Sequence, residues 1–447
     1  MSDQRLKIRV ENFAARLERE DVCMHGFILS VGGRLRAKAY YAPFREGQPH
    51  RLYSVSKSMT ALAIGILMEE GKIHLDDPVA AYFPDYLPEK PDERLLRLTL
   101  RDMLRMATCY RATVYKLSDE DWARPFFTSV STHEPGTVFH YDTGCSQVLA
   151  ALTTRLTGMQ VIDFLDERVF VPLGLEDERY WLRDPSGTCQ GGSGLCMSLR
   201  DLHRVARAVM TGGEGVLPRG FCGEMVRKHI DTRLSANEEE RCGYGWQVWR
   251  TRAGWSMYGM GGQLAVACPE KDALLCTVAD TRLDPFGVQR IYNAFFEEIY
   301  PYIGREDMDP AELKLSVKPV ENNVAWETEQ AGPYLFPGGN PLGLRSVELR
   351  GHTLILENRR GKNALRFGAG ENIEDTFPGR PDRPTLCSGG WLEKGLLRIR
   401  CFITGDAPCG VDMLLCFKGN SLTVQSRRSS DPATEGFEGV ASGYLAG

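Results

Sequence analysis

The sequence predicts an α+β protein: an antiparallel sheet with a helical lobe, followed by a separate C-terminal all-β domain, either a barrel or a sandwich. β-type runs occur at both ends of the first 300 residues, and helical periodicity fills the region between them. Beyond about residue 310, short alternating runs divided by Gly, Asn and Asp take over. Because 447 residues exceed one ordinary core, we predict two domains, residues 1–308 and 309–447.

The first domain opens with a β-hairpin and continues into helices. Residues 26–41 contain two β-rich runs divided by Gly32-Gly33, which is typical of a hairpin turn. The segment from Ser54 to Glu70 predicts a helix that Gly71 ends. Further helices are predicted from apolar residues at helical spacing in segments 98–107, 146–158, 161–174 and 199–213.

The β pattern returns after this helical region. Short aromatic and β-branched runs lie within residues 243–250, 254–270 and 272–281, and "PEKD" joins the last two as a hairpin. Residues 288–303 predict a closing amphipathic helix. We therefore expect strands from both ends of the domain to form one sheet.

Composition and charge exclude several classes of function. The net charge is -5, from 54 basic and 59 acidic residues without long runs of one sign, which favours neither nucleic acid nor a membrane surface as a partner. The charged N-terminus lacks the apolar segment of a secretory signal, and the longest apolar run, Met59 to Met68, is too short to span a bilayer. We expect a cytoplasmic protein whose partner is a small-molecule substrate. Its oligomeric state is left open.

Cysteine and histidine patterns indicate no metal, cofactor or disulfide framework. The 13 cysteines are scattered without a CxxC pair, and the 8 histidines show no HExxH spacing. In a reducing compartment, such cysteines are typically small buried hydrophobic residues. We therefore expect a protein without a metal site or cofactor.

Ser54 and Lys57 stand at the start of a predicted helix that is otherwise apolar. Three positions apart, they project from one helix face. A serine hydroxyl needs a base to become a nucleophile, and a lysine can accept its proton only as the neutral amine, which burial favours. The helix N-terminus would also stabilise an oxyanion. From these residues alone, Ser54 could equally be an ordinary N-cap.

Several longer phrases, in order, carry a family resemblance. They are "LYSVSKSMTALAIGILMEEGKIHLDDPVAAYFP", "LTLRDMLRMATCY", "EPGTVFHYDTGCSQVLAALTTRLTG" and "YGMGGQLAVACPEKDALLCTVAD". Together they resemble the serine β-lactamase-like hydrolases, which include class C β-lactamases, penicillin-binding DD-peptidases, D-aminopeptidases, esterases and 6-aminohexanoate oligomer hydrolases. The resemblance covers about residues 20–300 and implies a β-lactamase-like sheet with a helical lobe.

The resemblance also implies roles for individual residues. Ser54 matches the acylated nucleophile, Lys57 the lysine of the SxxK motif, and Tyr141 the tyrosine that carries protons between nucleophile and leaving group. Which of Lys57 and Tyr141 is the general base stays open. The backbone N–H groups of Ser54 and Gly262 are expected to form the oxyanion hole.

Two departures from the family pattern bear on the substrate. Thr143 stands where the family often has asparagine, and Gly259-Met260-Gly261 replaces a third motif that usually begins with a cation. Without that cation to bind a carboxylate, penicillinase and DD-carboxypeptidase activities are disfavoured, and the esterase and aminohexanoate branches are favoured. Thr143, Gly259, Met260, Gly261 and Gln263 are the candidate substrate-binding residues, although Gln263 could equally be an ordinary strand residue.

The sequence thus predicts a metal-independent serine hydrolase. It would cleave an ester or amide of a small, largely uncharged substrate through an acyl-enzyme on Ser54. The alternative is a non-catalytic binding protein on the same scaffold, with a ligand or partner at the C-terminal β-domain. That domain, outside the resemblance, is expected to be a lipocalin-like barrel or a sandwich.

Overall fold

A computed structural model of the protein describes residues 3–113, 115, 120–304, 311–326, 332–359 and 361–446. Its helices lie in the first of the two predicted domains. They are α1 (Asp3–Arg19), α2 (Val55–Glu69), α3 (Glu93–Arg97), α4 (Leu100–Leu104), α5 (Thr143–Thr157), α6 (Val161–Leu165), α7 (Leu199–Met210), α8 (Arg219–Met225) and α9 (Gly287–Ala294). A π-helical turn extends α6 through residues 166–170, and another extends α9 through residues 295–299.

The strands of the first domain form a seven-stranded sheet and a small three-stranded sheet. They are β1 (Met24–Val31), β2 (Arg34–Ala42), β3 (Pro49–Arg51), β4 (Tyr180–Trp181), β5 (Leu195–Ser198), β6 (Trp249–Thr251), β7 (Gly254–Gly259), β8 (Gln263–Cys268), β9 (Ala273–Ala279) and β10 (Ala311–Ser316). The large sheet has the order β10-β2-β1-β9-β8-β7-β6, and the small one has the order β3-β5-β4. Only the β10–β2 pair of these described strands is parallel.

Strands from both ends of the domain pair with each other, as the sequence predicts. β1 and β2 form the expected hairpin, and Gly32 and Gly33 adopt left-handed conformations with φ of 61° and 70° in its turn. β1 also pairs with β9, with Phe27 opposite Thr277. The predicted α+β architecture is therefore confirmed, with the helical lobe inserted between the two halves of the sheet.

Helices pack against both faces of the large sheet. On one face, the helical lobe buries a core that includes α2, whose residues from Val55 to Leu67 are all buried. On the other face, α1 and α9 pack against the sheet, and Val10, Phe13 and Leu17 of α1 are fully buried. We did not predict α1, although these residues follow helical spacing, because its many charged residues hide the apolar stripe.

The C-terminal domain is a nearly closed β-barrel, and the sandwich alternative is wrong. Its strands are β11 (Tyr334–Leu335), β12 (Leu344–Arg350), β13 (Thr353–Asn358), β14 (Gly361–Arg366), β15 (Gly368–Ala369), β16 (Ile373–Phe377), β17 (Arg380–Glu393), β18 (Leu396–Ile403), β19 (Cys409–Lys418), β20 (Ser421–Arg428) and β21 (Gly439–Leu445). One sheet runs β14-β13-β12-β11-β21-β20-β19-β18-β17-β15, and β16 pairs with β17. One cluster of buried apolar side chains forms its core.

The predicted domain boundary at residues 308 and 309 lies in residues 305–310, outside the described residues. β10, which follows it, adds to the edge of the first sheet, with Ala311 opposite Ala37. The start of the segment assigned to the second domain therefore packs with the first.

No single helix among the described residues has both the length and the apolar character needed to cross a membrane. Helical segments Thr143–Thr157 and Val161–Phe170 meet the criteria only as a pair, across a bend of 71°.

Candidate active site

Ser54 lies at the N-terminus of α2, directly after a strained residue. Tyr53 has a φ of 46°, a left-handed conformation that is uncommon for a bulky side chain. The Ser56 hydroxyl donates to the Tyr53 carbonyl oxygen at 2.6 Å and supports this turn. Ser54 occupies the N-cap position, but its side chain accepts no capping hydrogen bond. Its hydroxyl therefore faces other partners.

Lys57 is the first of these partners. Its Nζ donates to Ser54 Oγ at 3.1 Å and to the carbonyl oxygen of Gly192 at 2.6 Å, and the residue is 1% exposed. A Cβ at position 192 would lie 2.6 Å from the Thr143 methyl group and 3.1 Å from Lys57 Nζ. Glycine is thus needed at 192 for its carbonyl to reach the lysine. The sequence analysis did not predict this role for Gly192.

Tyr141 approaches Ser54 from the loop before α5. Its hydroxyl hydrogen-bonds with Ser54, and its ring stacks on Trp249 with centroids 5.7 Å apart and planes at 21°. Lys57 Nζ lies 4.9 Å from the ring centroid. Burial raises the pKa of Tyr141 well above its usual value, and the hydrogen bond with Ser54 opposes this only partly. The structure therefore brings Ser54, Lys57 and Tyr141 together, with the phenol protonated at neutral pH.

The segment that replaces the third motif forms the turn between β7 and β8, opposite Ser54. A Cβ on Gly259 would lie 2.1 Å from the carbonyl oxygen of Leu52, so only glycine permits this close approach to the segment before the nucleophile. Met260 follows and lines the same cleft as Ser54 and Thr143. Gly261 has a φ of 90° and contributes to the tight turn.

Gly262, the expected second oxyanion donor, faces away from the cleft. Its N–H points to the carbonyl oxygen of Gly259 at 3.3 Å. A Cβ at 262 would lie 2.8 Å from Ile291 in α9 and 3.0 Å from Ala279, on the opposite side of the sheet. The sequence analysis expected Gly262 to face the cleft, whereas in the structure it faces the other side of the sheet. Met260 is the residue of this turn that reaches the cleft.

Gln263 also has a structural role. Its side chain is buried, and its amide nitrogen donates to the carbonyl oxygens of Ala279 at 2.6 Å and Met260 at 3.3 Å. The sequence left open whether Gln263 contacts substrate or is an ordinary strand residue, and these hydrogen bonds favour the strand residue. Gln263 thereby holds the turn that carries Met260.

A buried ion pair that the sequence analysis missed supports the nucleophile turn. Arg282 Nε donates to Asp280 at 2.7 Å, with only 4% and 2% of the two side chains exposed. Arg282 Nη1 also donates to the Tyr53 hydroxyl at 2.7 Å. No motif marks these residues, and only the tertiary fold brings them beside Tyr53.

Ser54 opens into a cleft of about 740 Å³ that both domains line. The first domain contributes Arg51, Tyr53, Tyr115, Thr143, Gln190 and Ser193, among others. The barrel contributes Arg428, Ser430, Asp431, Pro432 and Glu435. No group of three or more His, Cys, Asp or Glu side chains in the described parts of the chain is arranged to hold a metal ion. The arrangement can supply a nucleophile, two proton-transfer groups and backbone N–H donors.

Comparisons with known proteins relate the chain to a family of hydrolases. A model of the beta-lactamase family matches residues 15–295. The chain is 27% identical over 235 residues to 6-aminohexanoate-dimer hydrolase of Paenarthrobacter ureafaciens, covering 48% of this chain and 59% of that protein. It is 27% identical over 176 residues to esterase EstB of Burkholderia gladioli, covering 35% and 45%. The chain thus spans about half the length of these curated relatives.

Solved structures share the fold at low sequence identity. D-amino acid amidase from Ochrobactrum anthropi SV3 aligns with a TM-score of 0.53 at 17% identity, over 66% of this chain and 99% of that one. SurE, solved with D-Leu, aligns with a TM-score of 0.54 at 17% identity, over 92% of this chain and 97% of that one, so its alignment extends into the C-terminal domain. The matched family model covers well over half of the chain, and on that basis the chain belongs to the β-lactamase family.

Proposed function

We propose that the protein is a serine hydrolase that cleaves an ester or amide of a small, largely uncharged substrate through an acyl-enzyme on Ser54. The observation that carries this proposal is the convergence of Lys57 Nζ, 3.1 Å away, and the Tyr141 hydroxyl on Ser54 Oγ. A serine held between an amine and a phenol is arranged for nucleophilic catalysis with proton transfer.

In the acylation step, Ser54 Oγ attacks the substrate carbonyl carbon while its proton passes to the neighbouring base. The tetrahedral oxyanion is stabilised by the N–H of Ser54 at the start of α2. Met260, which lines the cleft, is the candidate for the second donor. The raised pKa of Tyr141 favours the phenol as the proton donor to the leaving group over a role as the initial base. Collapse of the intermediate breaks the ester or amide bond and leaves the acyl group on Ser54.

In the deacylation step, water replaces the leaving group. The base removes a proton from water, whose oxygen attacks the acyl carbonyl, and Ser54 Oγ recovers a proton as the new acid departs. Lys57 stays beside Ser54 throughout because its Nζ donates a hydrogen bond of 2.6 Å to the carbonyl oxygen of Gly192. The same two side chains can therefore serve both steps.

The charge of the cleft supports a substrate without net charge. Arg282 lies beside Gly261, but its guanidinium is paired with Asp280, so it does not replace the missing third-motif cation. Along the cleft, Arg51 and Arg428 are balanced in formal charge by Asp431 and Glu435. The names of the two relatives, 6-aminohexanoate-dimer hydrolase and esterase EstB, support hydrolysis as the reaction.

Labelling with a fluorophosphonate probe and turnover of p-nitrophenyl acetate test this proposal. We expect the wild-type protein to be labelled once and to release p-nitrophenol, and Ser54→Ala to lose both properties. Ser193→Ala, which alters another serine of the cleft, should keep the label. If the wild-type protein is not labelled, or if Ser54→Ala retains its turnover, the proposal is wrong.

A cavity in the barrel supports a second candidate function, a non-catalytic binding protein. This cavity, of about 530 Å³, is lined by Trp326, Leu349, Phe367 and Trp391, among others. The two tryptophans meet edge to face, with centroids 4.4 Å apart. Cavities of this size and lining can hold a small apolar ligand. The absence of both labelling and turnover, together with binding of an apolar fluorescent dye that Trp391→Ala weakens, would favour this candidate.

A further inference from the structure

The loop between β20 and β21 brings the barrel domain into the cleft that contains Ser54. Arg428 at the end of β20 lines the cleft together with Ser430, Asp431, Pro432 and Glu435 of the loop. Sequence resemblance ends near residue 300, so nothing in the family pattern assigns these residues a role. One wall of the candidate active site therefore belongs to the second domain.

This wall is anchored to the nucleophile turn through buried contacts. Ser429 Oγ donates to Asp280 Oδ2 at 2.8 Å, and Asp280 is the partner of Arg282. Arg282 in turn donates to the Tyr53 hydroxyl and to the carbonyl oxygen of Pro408 in the barrel. A continuous chain of hydrogen bonds thus runs from the loop to the residue before Ser54.

The loop is also folded by its own contacts. Asp431 caps the short helical turn at residues 432–434 by accepting from the N–H of Ala433 at 2.9 Å. Thr434 Oγ1 donates to the carbonyl oxygen of Ser429 at 2.6 Å, and Arg428 Nη1 donates to that of Asp431 at 3.1 Å. These hydrogen bonds, together with the Ser429–Asp280 contact, hold the loop in place as a fixed wall of the cleft.

The chemistry of the wall is polar. Arg428 and Ser430 offer donors, Asp431 and Glu435 offer acceptors, and Pro432 is its apolar member. An alkyl chain lying here would displace water from these groups without replacing its hydrogen bonds, which is costly. A chain that contains an amide group would pair with both donors and acceptors.

We infer that the β20–β21 loop is the specificity-determining wall of this active site and that it selects an acyl chain bearing amide groups, of peptide-like chemistry, over an alkyl chain of the same length. The inference rests on the proposed function, because it assumes that Ser54 is acylated. It assigns the barrel domain a direct part in substrate choice.

Two esters of equal chain length test the inference: p-nitrophenyl hexanoate and the p-nitrophenyl ester of N-acetyl-β-alanine. The measured quantity is the ratio of their kcat/KM values, amide-bearing over alkyl. The intrinsic reactivities of the two esters do not depend on the variant. A change in the ratio therefore reports a change in how the wall contacts the acyl chain. We expect Arg428→Ala and Glu435→Ala each to lower this ratio about tenfold, the usual effect of losing a hydrogen bond to a charged group. Arg427→Ala, an exposed neighbour on β20, should leave it unchanged.

The outcomes separate this inference from the proposed function. Suppose that the wild-type protein is labelled by a fluorophosphonate, but that Arg428→Ala and Glu435→Ala have the same ratio of kcat/KM values as the wild-type protein. Only the inference on the wall is then overturned. If wild-type protein is not labelled, both proposals are overturned. Labelling of each variant verifies its folded site. Glu435→Gln, a nearly isosteric change of an exposed side chain, removes the charge but keeps a carbonyl acceptor, so it should lower the ratio less than Glu435→Ala does, with little risk to folding.

Discussion

The carbonyl oxygen of Gly192 accepts a hydrogen bond of 2.6 Å from Lys57 Nζ, across 135 residues of sequence. This contact holds a buried amine beside Ser54 Oγ instead of letting it extend towards solvent. The lysine is thus positioned by two elements, α2 and the turn at residues 191–194. Its placement is the physical basis for the predictions on catalysis.

Replacement of Lys57 by methionine should abolish most activity. Methionine retains the length and packing of the side chain but removes the amine that contacts Ser54, so we expect kcat for p-nitrophenyl acetate to fall about 10³-fold. Stopped-flow or steady-state release of p-nitrophenol measures this effect. A variant that keeps more than a tenth of wild-type kcat would show that Lys57 takes no part in proton transfer.

Removal of the Tyr141 hydroxyl should affect chemistry more than stability. Tyr141→Phe keeps the ring stacked on Trp249 but deletes the group that hydrogen-bonds with Ser54. We expect a decrease in kcat of about 10²- to 10⁴-fold, with little change in KM or in the thermal midpoint. Loss of stability in proportion to the loss of activity would instead indicate a packing role.

Gly259 should tolerate no side chain. In Gly259→Ala, the new Cβ would lie 2.1 Å from the carbonyl oxygen of Leu52, so strand β7 must move away from the nucleophile turn. We expect the free energy of unfolding to fall by about 1–3 kcal/mol, together with a loss of activity. Gly223→Ala in α8 is the matched control, since its Cβ would meet no atom within 4 Å. Urea titrations of both variants measure the difference, and equal stabilities would contradict the predicted close approach.

Acid should destabilise the protein through buried histidines. Burial lowers the pKa of His50 to about 4, and it also lowers that of neighbouring His25. Below pH 6.5 the unfolded chain therefore binds protons that the folded protein excludes, so the stability that is complete above this pH is lost as pH falls towards 4. At pH 5 we expect His50 alone to reduce the free energy of unfolding by about 2 kcal/mol.

Urea titrations at pH 7.5 and pH 5 check this dependence on pH. His50→Gln removes one of the titrating groups, so its unfolding free energy should change less between the two pH values than that of the wild-type protein. The same pH dependence in variant and wild type would refute the contribution of His50.

The strongest sequence signals concerned elements with one dominant pattern. The apolar run of α2, with Gly71 after it, and the Gly32-Gly33 hairpin both predict what the structure contains. The sequence analysis did not predict α1, because its charged residues outnumber its three fully buried apolar residues. Periodicity identifies a helix by its apolar stripe, and a narrow stripe is easily overlooked.

The geometry around the nucleophile was less predictable than its identity. Ser54, Lys57 and Tyr141 could be named from motifs, because their chemistry requires those residue types. The sequence could not predict which side of the sheet Gly262 faces, since a difference of one residue in register exchanges the two sides of a sheet. Arg282 reaches the nucleophile turn through a tertiary contact within the first domain, and the loop from Arg428 to Glu435 reaches the cleft because the two domains pack together. No local sequence pattern encodes either arrangement.

The most direct test of the acyl-enzyme is its mass. Wild-type protein mixed with excess p-nitrophenyl ester and quenched in acid during turnover should carry one acyl group, which peptide mapping should locate on Ser54, and Ser54→Ala should carry none there. An acyl group on a different residue, or turnover at the wild-type rate by Ser54→Ala, would contradict the account.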